Sequence, residues 1–200
     1  MHRMLSILST LFILTTGFLI KSTNNSSFAR WVVEKNSSLN IQGETNINSF
    51  QCDVTEYLKA DTLVYIKNDA TRKLCFTNSC LDIDVNRFDC HSKFITEDFR
   101  SALKADENPK LKIVFLTIDE FSNNANQSVK GIVKIELAHA SKQVEINYTI
   151  KSLPGNRIQM NGSHIFSFTD FNLKAPRKLA GLIRTKDQIT VNFQLFFRAI

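Results

Sequence analysis

A chain of 200 residues with 43% hydrophobic and 22% charged residues is the size of one domain, with a globular balance able to bury a sizeable core. The formal net charge of +6 comes from scattered Lys and Arg, and no nucleic-acid module accompanies it, which argues against a nucleic-acid partner. Sixteen Phe stand against one Trp and three Tyr, enough to fill a core or to line an apolar cavity.

The first stretch reads as an address. Arg3 precedes sixteen uncharged residues, Leu5 to Ile20, and Lys21 with a polar KSTNNSS segment follows. That is the order of a secretory signal. The run is short for a spanning helix, which needs about 20 residues; an uncleaved anchor is the alternative. Cleavage after Ala29 satisfies the small-residue rule, with Thr15-Thr16-Gly17 as a rival site. The expected division is therefore a signal peptide at 1–29 and one domain at 30–200, exported to the periplasm or secreted. Losing Arg3 and Lys21 and no acid lowers the net charge by two.

The mature chain opens with Trp31-Val32-Val33, and Leu39 and Ile41 then alternate with polar residues. A second alternating stretch sets Asn48, Phe50 and Cys52 against Ile47 and Ser49. Leu63 to Lys67 is another strand, and Leu81, Ile83 and Val85 alternate with Asp82, Asp84 and Asn86.

Cys52, Cys75, Cys80 and Cys90 form an even set behind an export signal, so two disulfides are expected from three pairings. The favoured pairs are Cys52 with Cys90, tying two strands, and Cys75 with Cys80, closing a small turn. His91 directly beside Cys90 is poor spacing for zinc, and no metal site is expected.

Ile95 to Ala105 breaks the pattern. Ile95, Phe99, Ala102 and Leu103 recur at helical spacing, with Thr96 as the expected cap, so one short helix is predicted. Strands resume with Leu111, Ile113 and Phe115, then Val133, Ile135 and Leu137, then Val144, Ile146, Tyr148 and Ile150. A turn at Leu153 to Asn156 leads into Ile158 to Phe168. The TDFNLKAPRKLAG crossing follows, where Pro176 bars regular helix and Gly181 allows a tight re-entry. The last strand places Ile189, Val191, Phe193, Leu195 and Phe197 on one face. About eight strands, one helix and short polar turns predict an all-β, antiparallel, eight-stranded lipocalin-like barrel with one short α-helix. A sandwich is the alternative.

Four segments carry a family resemblance. WVVEKNSSLNIQGETNINSF, DFRSALKADENPKLKIVF, KGIVKIELAHASKQVEI and GSHIFSFTDFNLKAPRKLAGLIRTKDQITVNFQL, in that order, resemble the YceI-like family over about residues 30–200. Thr45-Asn46, Phe50 and Cys52, with Cys90 after Phe88, resemble the branch that carries a disulfide. The resemblance implies a periplasmic lipocalin-like barrel with a helix at its side. It also implies a long-chain isoprenoid or fatty amphiphile in the lumen, and for some members a homodimer. AHASKQ stands where many relatives have a Gly-rich turn, and Cys75 and Cys80 are an extra pair.

By parity the lumen candidates are Ile113, Phe115, Val133, Ile135, Ile146, Tyr148, His164, Phe166, Phe168, Val191, Phe193 and Leu195. Parity marks them as buried and does not separate a ligand wall from a filled core. Lys174, Arg177, Lys178 and Arg184 are the head-group candidates at the barrel mouth, the bland reading being a wet crossing loop. A mildly basic surface also suits contact with an anionic membrane. No G-x-S-x-G elbow, phosphate-cradling Gly loop, H-E-x-x-H or C-x-x-C occurs, so no catalytic residue, cofactor or enzyme activity is expected. The functional expectation is an exported protein that holds a polyisoprenoid or similar amphiphile without covalent chemistry. The alternative is an envelope interaction protein whose barrel is filled by its own side chains.

Overall fold

The structure, a computed structural model, describes residues 28–54, 57, 59–122 and 126–200. Residues 1–27 of the expected leader lie outside that set; Phe28 and Ala29 already belong to the first strand. Among the described residues twelve strands form one antiparallel sheet. The first six are β1 (Phe28–Val33), β2 (Ser38–Thr45), β3 (Ser49–Val54), β4 (Thr62–Asn68), β5 (Lys73–Thr77) and β6 (Cys80–Asp84). The helix α1 (Lys93–Ala102) follows. Then come β7 (Lys110–Asp119), β8 (Gln127–Leu137), β9 (Ala140–Leu153), β10 (Arg157–Ser167), the two-residue β11 (Arg177–Lys178) and β12 (Ile183–Ala199).

Pairing runs β1-β4-β5-β7-β8-β9-β10-β12 and returns to β1, where Trp31, Val32 and Val33 face Ala199, Arg198 and Phe197. The ring has the expected eight strands, but β5 within it had no signal in the sequence reading, and the expected strands β2, β3 and β6 lie outside it. The other strands extend it. β12 has 17 residues, and beyond its contact with β1 the same edge carries β2, with β3 next to that. β5 and β6 likewise lie end to end along β7.

Period-two alternation makes the inward face. β9 buries Val144, Ile146, Tyr148 and Ile150 and exposes Glu145, Asn147, Thr149 and Lys151 between them. One end of the ring is filled by aromatics gathered on Trp31, whose ring centroid lies 4.9 Å from Tyr65, 5.8 Å from Phe76 and 5.5 Å from Phe197. Burying each such side chain contributes roughly 1.5–3 kcal/mol, so this end is closed by core packing.

The opposite end splays in two places. The β9–β10 ladder stops at Gly162 opposite Tyr148, and a 3-10 turn, Phe168–Phe171, wedges buried Phe168 and Phe171 near the opening. On the other side β3 and β6 share no ladder. That seam is spanned by an isolated bridge between Asp53 and Asp89, the Cys52–Cys90 disulfide and α1, whose Phe99 packs on Phe88 at 5.5 Å.

Three expectations are corrected. Cys75 and Cys80 are free thiols. Cys75 faces Thr117 and Cys80 faces Val114 along one strand, and three residues of a strand span about 10 Å, beyond the ~7 Å a disulfide's Cα atoms can bridge. The helix starts at Lys93, and Thr96 lies inside it, accepting the N–H of Cys90 at 2.9 Å rather than capping the first turn. The stretch from Ile47 is a hairpin tip, with the Thr45 hydroxyl accepting the N–H groups of Ile47 and Asn48, so strand resumes only at Ser49.

Candidate ligand-binding lumen

β12 serves as a ruler along the interior. Phe197 belongs to the Trp31 cluster, while Leu195, Phe193 and Val191 border a cavity of about 50 Å³. Further on, Thr185 and Ile183 border a second, larger space of about 360 Å³. The same order holds on β2, where Leu39 lines the first space and Thr45 the second. These two strands therefore run past both apolar spaces, with buried Ile41 and Ile189 between them.

Nine of the twelve lumen candidates line the first cavity: Ile113 and Phe115 on β7, Ile135 on β8, Ile146 and Tyr148 on β9, Phe166 on β10, and Val191, Phe193 and Leu195 on β12. Val133 and Phe168 are buried in the core but do not border it. His164 does not border it either. It lies past the last β9–β10 pair, its ring 4.6 Å from that of Phe166, near the Lys142–Asp170 ion pair. Burial foremost, then the charge of Lys142, lowers its pKa from the usual histidine value, against a smaller opposing pull from Asp170.

Sequence reading missed part of the wall. Leu39, Val54, Leu81 and Ile83 border the cavity too, and Leu39, Leu81 and Ile83 lie in strands already legible by alternation. Tyr57 had no such signal, because it comes from the connection between β3 and β4. Its hydroxyl donates to the Asp61 carboxylate and accepts the Asp82 N–H at 2.9 Å. Burial, and then the Asp61 carboxylate, raises its pKa far above the ordinary phenol range, so it remains a neutral donor. Ser37 is spent on the backbone, its hydroxyl accepting the Phe196 N–H at 2.9 Å. The lining is otherwise almost wholly aliphatic and aromatic.

The cavity is narrow because rings occupy the ring's interior. Phe193 lies across Gly162, where a Cβ would come within 2.1 Å of its Cζ, and 5.6 Å from Tyr148. A second glycine, Gly131 on the neighbouring strand β8, leaves room for the Tyr148 ring. About 50 Å³ leaves room for a few water molecules, at ~10–15 Å³ each.

None of the head-group candidates borders that cavity. Lys178 borders the larger space, a groove between α1, the β2–β3 tip and the β11–β12 crossing, and pairs with Asp98 of α1. Arg177 and Arg184 oppose each other across the β11–β12 ladder, and Arg184 Nε donates to the Gly181 carbonyl at 2.7 Å. Lys174 is exposed on the same crossing.

No protein-family model matches the chain, and no curated protein matches it. Solved structures do. A polyisoprenoid-binding domain from Saccharophagus degradans, implicated in plant cell wall breakdown, superimposes with TM-score 0.64 at 14% identity, covering 85% of this chain and 98% of that one. BcnA of Burkholderia cenocepacia does so with TM-score 0.53 at 13% identity, over 80% and 95%. A YceI protein of Campylobacter jejuni reaches TM-score 0.48 at 15% identity, over 67% and 78%. The antiparallel barrel with a helix at its side expected from the sequence is the fold found, and it is one that a polyisoprenoid-binding domain shares.

Proposed function

We propose that the protein is an exported binding protein that holds a polyisoprenoid or other long-chain amphiphile in its lumen, for sequestration or transport without a covalent step. The observation that carries this reading is the convergence of apolar inward rows from eight strands, β2, β3, β6, β7, β8, β9, β10 and β12, on one cavity. Rings of eight strands are just wide enough to hold side chains or one small ligand. Phe193 and Phe166 are the groups that must turn to admit a chain. Each methylene buried contributes roughly 0.8 kcal/mol, so a chain of ten or more carbons offsets the loss of a few aromatic contacts. The head group remains at the groove end, beside Lys174, Arg177, Lys178 and Arg184. Export to the periplasm or beyond is supported by the apolar run at Leu5 to Ile20 and by the Cys52–Cys90 bond, which suits an oxidising compartment.

A second reading has its own observation. The narrow cavity favours an envelope interaction protein whose barrel is filled by its own rings. Native mass spectrometry of the chain purified from a bacterial host, followed by organic extraction, separates the two. A defined mass increment extracting as an isoprenoid or fatty species supports lumen binding. A clean apo mass that persists after incubation with long-chain lipids leaves the filled barrel.

A further inference from the structure

The crossing from Lys174 to Lys186, KAPRKLAGLIRTK, carries five cations and no acid. It also carries two of the most exposed large apolar side chains among the described residues, Leu179 at 67% and Leu182 at 74%. Two more come from other elements: Ile47, 66% exposed, at the β2–β3 tip, and Phe94, 78% exposed, on α1. These elements are tied together. The Asn46 side chain donates to the Leu182 carbonyl at 2.9 Å and accepts the Arg184 N–H at 2.8 Å. Ile47, Phe94 and Lys178 all border the same groove of about 360 Å³.

No folding reason accounts for this arrangement. Leu179, Ala180 and Gly181 have φ of 50°, 53° and 91°, a left-handed run that only the glycine adopts without strain. Its result is to hold Leu179 and Leu182 out in solvent. Arg177 and Arg184 face each other as direct cross-strand partners, an unfavourable like-charge pair unless an anion lies between or above them. The nearby acids are already matched: Asp98 by Lys178, Glu44 by Lys186, and Glu97 by Lys93 at 4.0 Å. Among the described residues, the cations of this crossing in no ion pair are Lys174, Arg177 and Arg184.

We propose that this face, formed by the β2–β3 tip, the start of α1 and the β11–β12 crossing, docks on an anionic lipid bilayer. Ile47, Phe94, Leu179 and Leu182 enter the interface, and Lys174, Arg177 and Arg184 meet lipid phosphates. Apolar groups ringed by cations are the chemistry of an interfacial anchor. A protein partner with an acidic apolar face is the competing occupant, and a second copy of this chain is disfavoured because it would set the same cations against each other. The proposal rests on the surface alone, whatever the lumen holds.

The test places a reporter on the face. Phe94→Trp in the full chain is titrated with vesicles of brominated phosphatidylglycerol and phosphatidylcholine, with no isoprenoid present. Docking predicts quenching of the introduced indole, at least tenfold weaker with pure phosphatidylcholine, weaker in about 0.5 M salt, and at least tenfold weaker when Arg177→Glu and Arg184→Glu are added. Emission from buried Trp31 reports that each variant is folded. The proposal is overturned if the chain sediments with vesicles while the indole stays unquenched, because binding then runs through the first residues. Equal quenching in the charge-reversed variant or on neutral vesicles also overturns it. So does a dimer in sedimentation velocity that the charge reversal abolishes without any vesicle quenching, which assigns the face to a second copy.

Discussion

Two inward-facing glycines receive an added methyl group differently. At Gly131 a Cβ would come within 2.6 Å of Tyr148, 2.9 Å of Ile118 and 3.0 Å of the Thr117 carbonyl oxygen, and the last of these is backbone in the β7 irregularity. Gly131→Ala is expected to destabilise the fold by about 1–3 kcal/mol, read by denaturant titration. At Gly162 all three nearest atoms belong to the Phe193 ring, which borders the cavity and can turn, so Gly162→Ala is expected to cost less than Gly131→Ala. Were the two costs reversed, Phe193 would be fixed and the proposed opening of the lumen wrong. His164 makes a pH prediction. Its folded pKa is lowered, so the unfolded chain binds the proton more readily; stability is full above the ordinary value near 6.5 and declines as pH falls through the lowered folded value. His164→Gln is expected to flatten thermal stability between about pH 7 and 5, and an unchanged pH dependence would mean the histidine is solvated. Parity on β10 placed His164 inward with Met160 and Phe166. What parity could not convey is that β9 leaves β10 after Gly162, so the same face no longer looks into the cavity.

Strands were legible where alternation ran for five residues or more and one face was buried, as in β9 and β12. Their neighbours were not, because register depends on contacts far apart in sequence. The end-to-end placement of β5 and β6 on β7 is the clearest instance: it separates Cys75 from Cys80, which in sequence look like the two ends of a short turn. Both thiols are therefore expected to react with a thiol reagent in the denatured, non-reduced protein, giving two equivalents per chain; zero would restore the second disulfide. The Cys52–Cys90 bond closes a separation of 38 residues across the β3–β6 seam, where no ladder exists. Chain-entropy arguments put its contribution at about 4 kcal/mol. Cys52→Ser with Cys90→Ser is expected to lower the urea midpoint accordingly. A loss below ~1 kcal/mol would show that α1 and the Phe88–Phe99 contact hold the seam alone.

At the scale of the whole molecule the interior divides along β12 into an aromatic plug at Phe197, a narrow lumen at Leu195 to Val191, and an open groove at Thr185 to Ile183. Alternation made an antiparallel barrel and nine of the cavity-lining residues legible, but not which strands close the ring, since β5 had no signal of its own. Alternation did not give the groove, which depends on three distant segments meeting, nor the narrowness of the lumen, which depends on where Phe193 and Tyr148 point. A long apolar chain is proposed to enter this lumen by turning Phe193 and Phe166. Calorimetric titration with a polyprenyl phosphate in mild detergent, on the wild-type chain and on Val191→Trp, tests it most directly. One-to-one binding with a negative heat-capacity change, weakened at least tenfold by the added indole while the Tm is held, is the predicted result. Equal affinity in both proteins, or no binding to either, would contradict it.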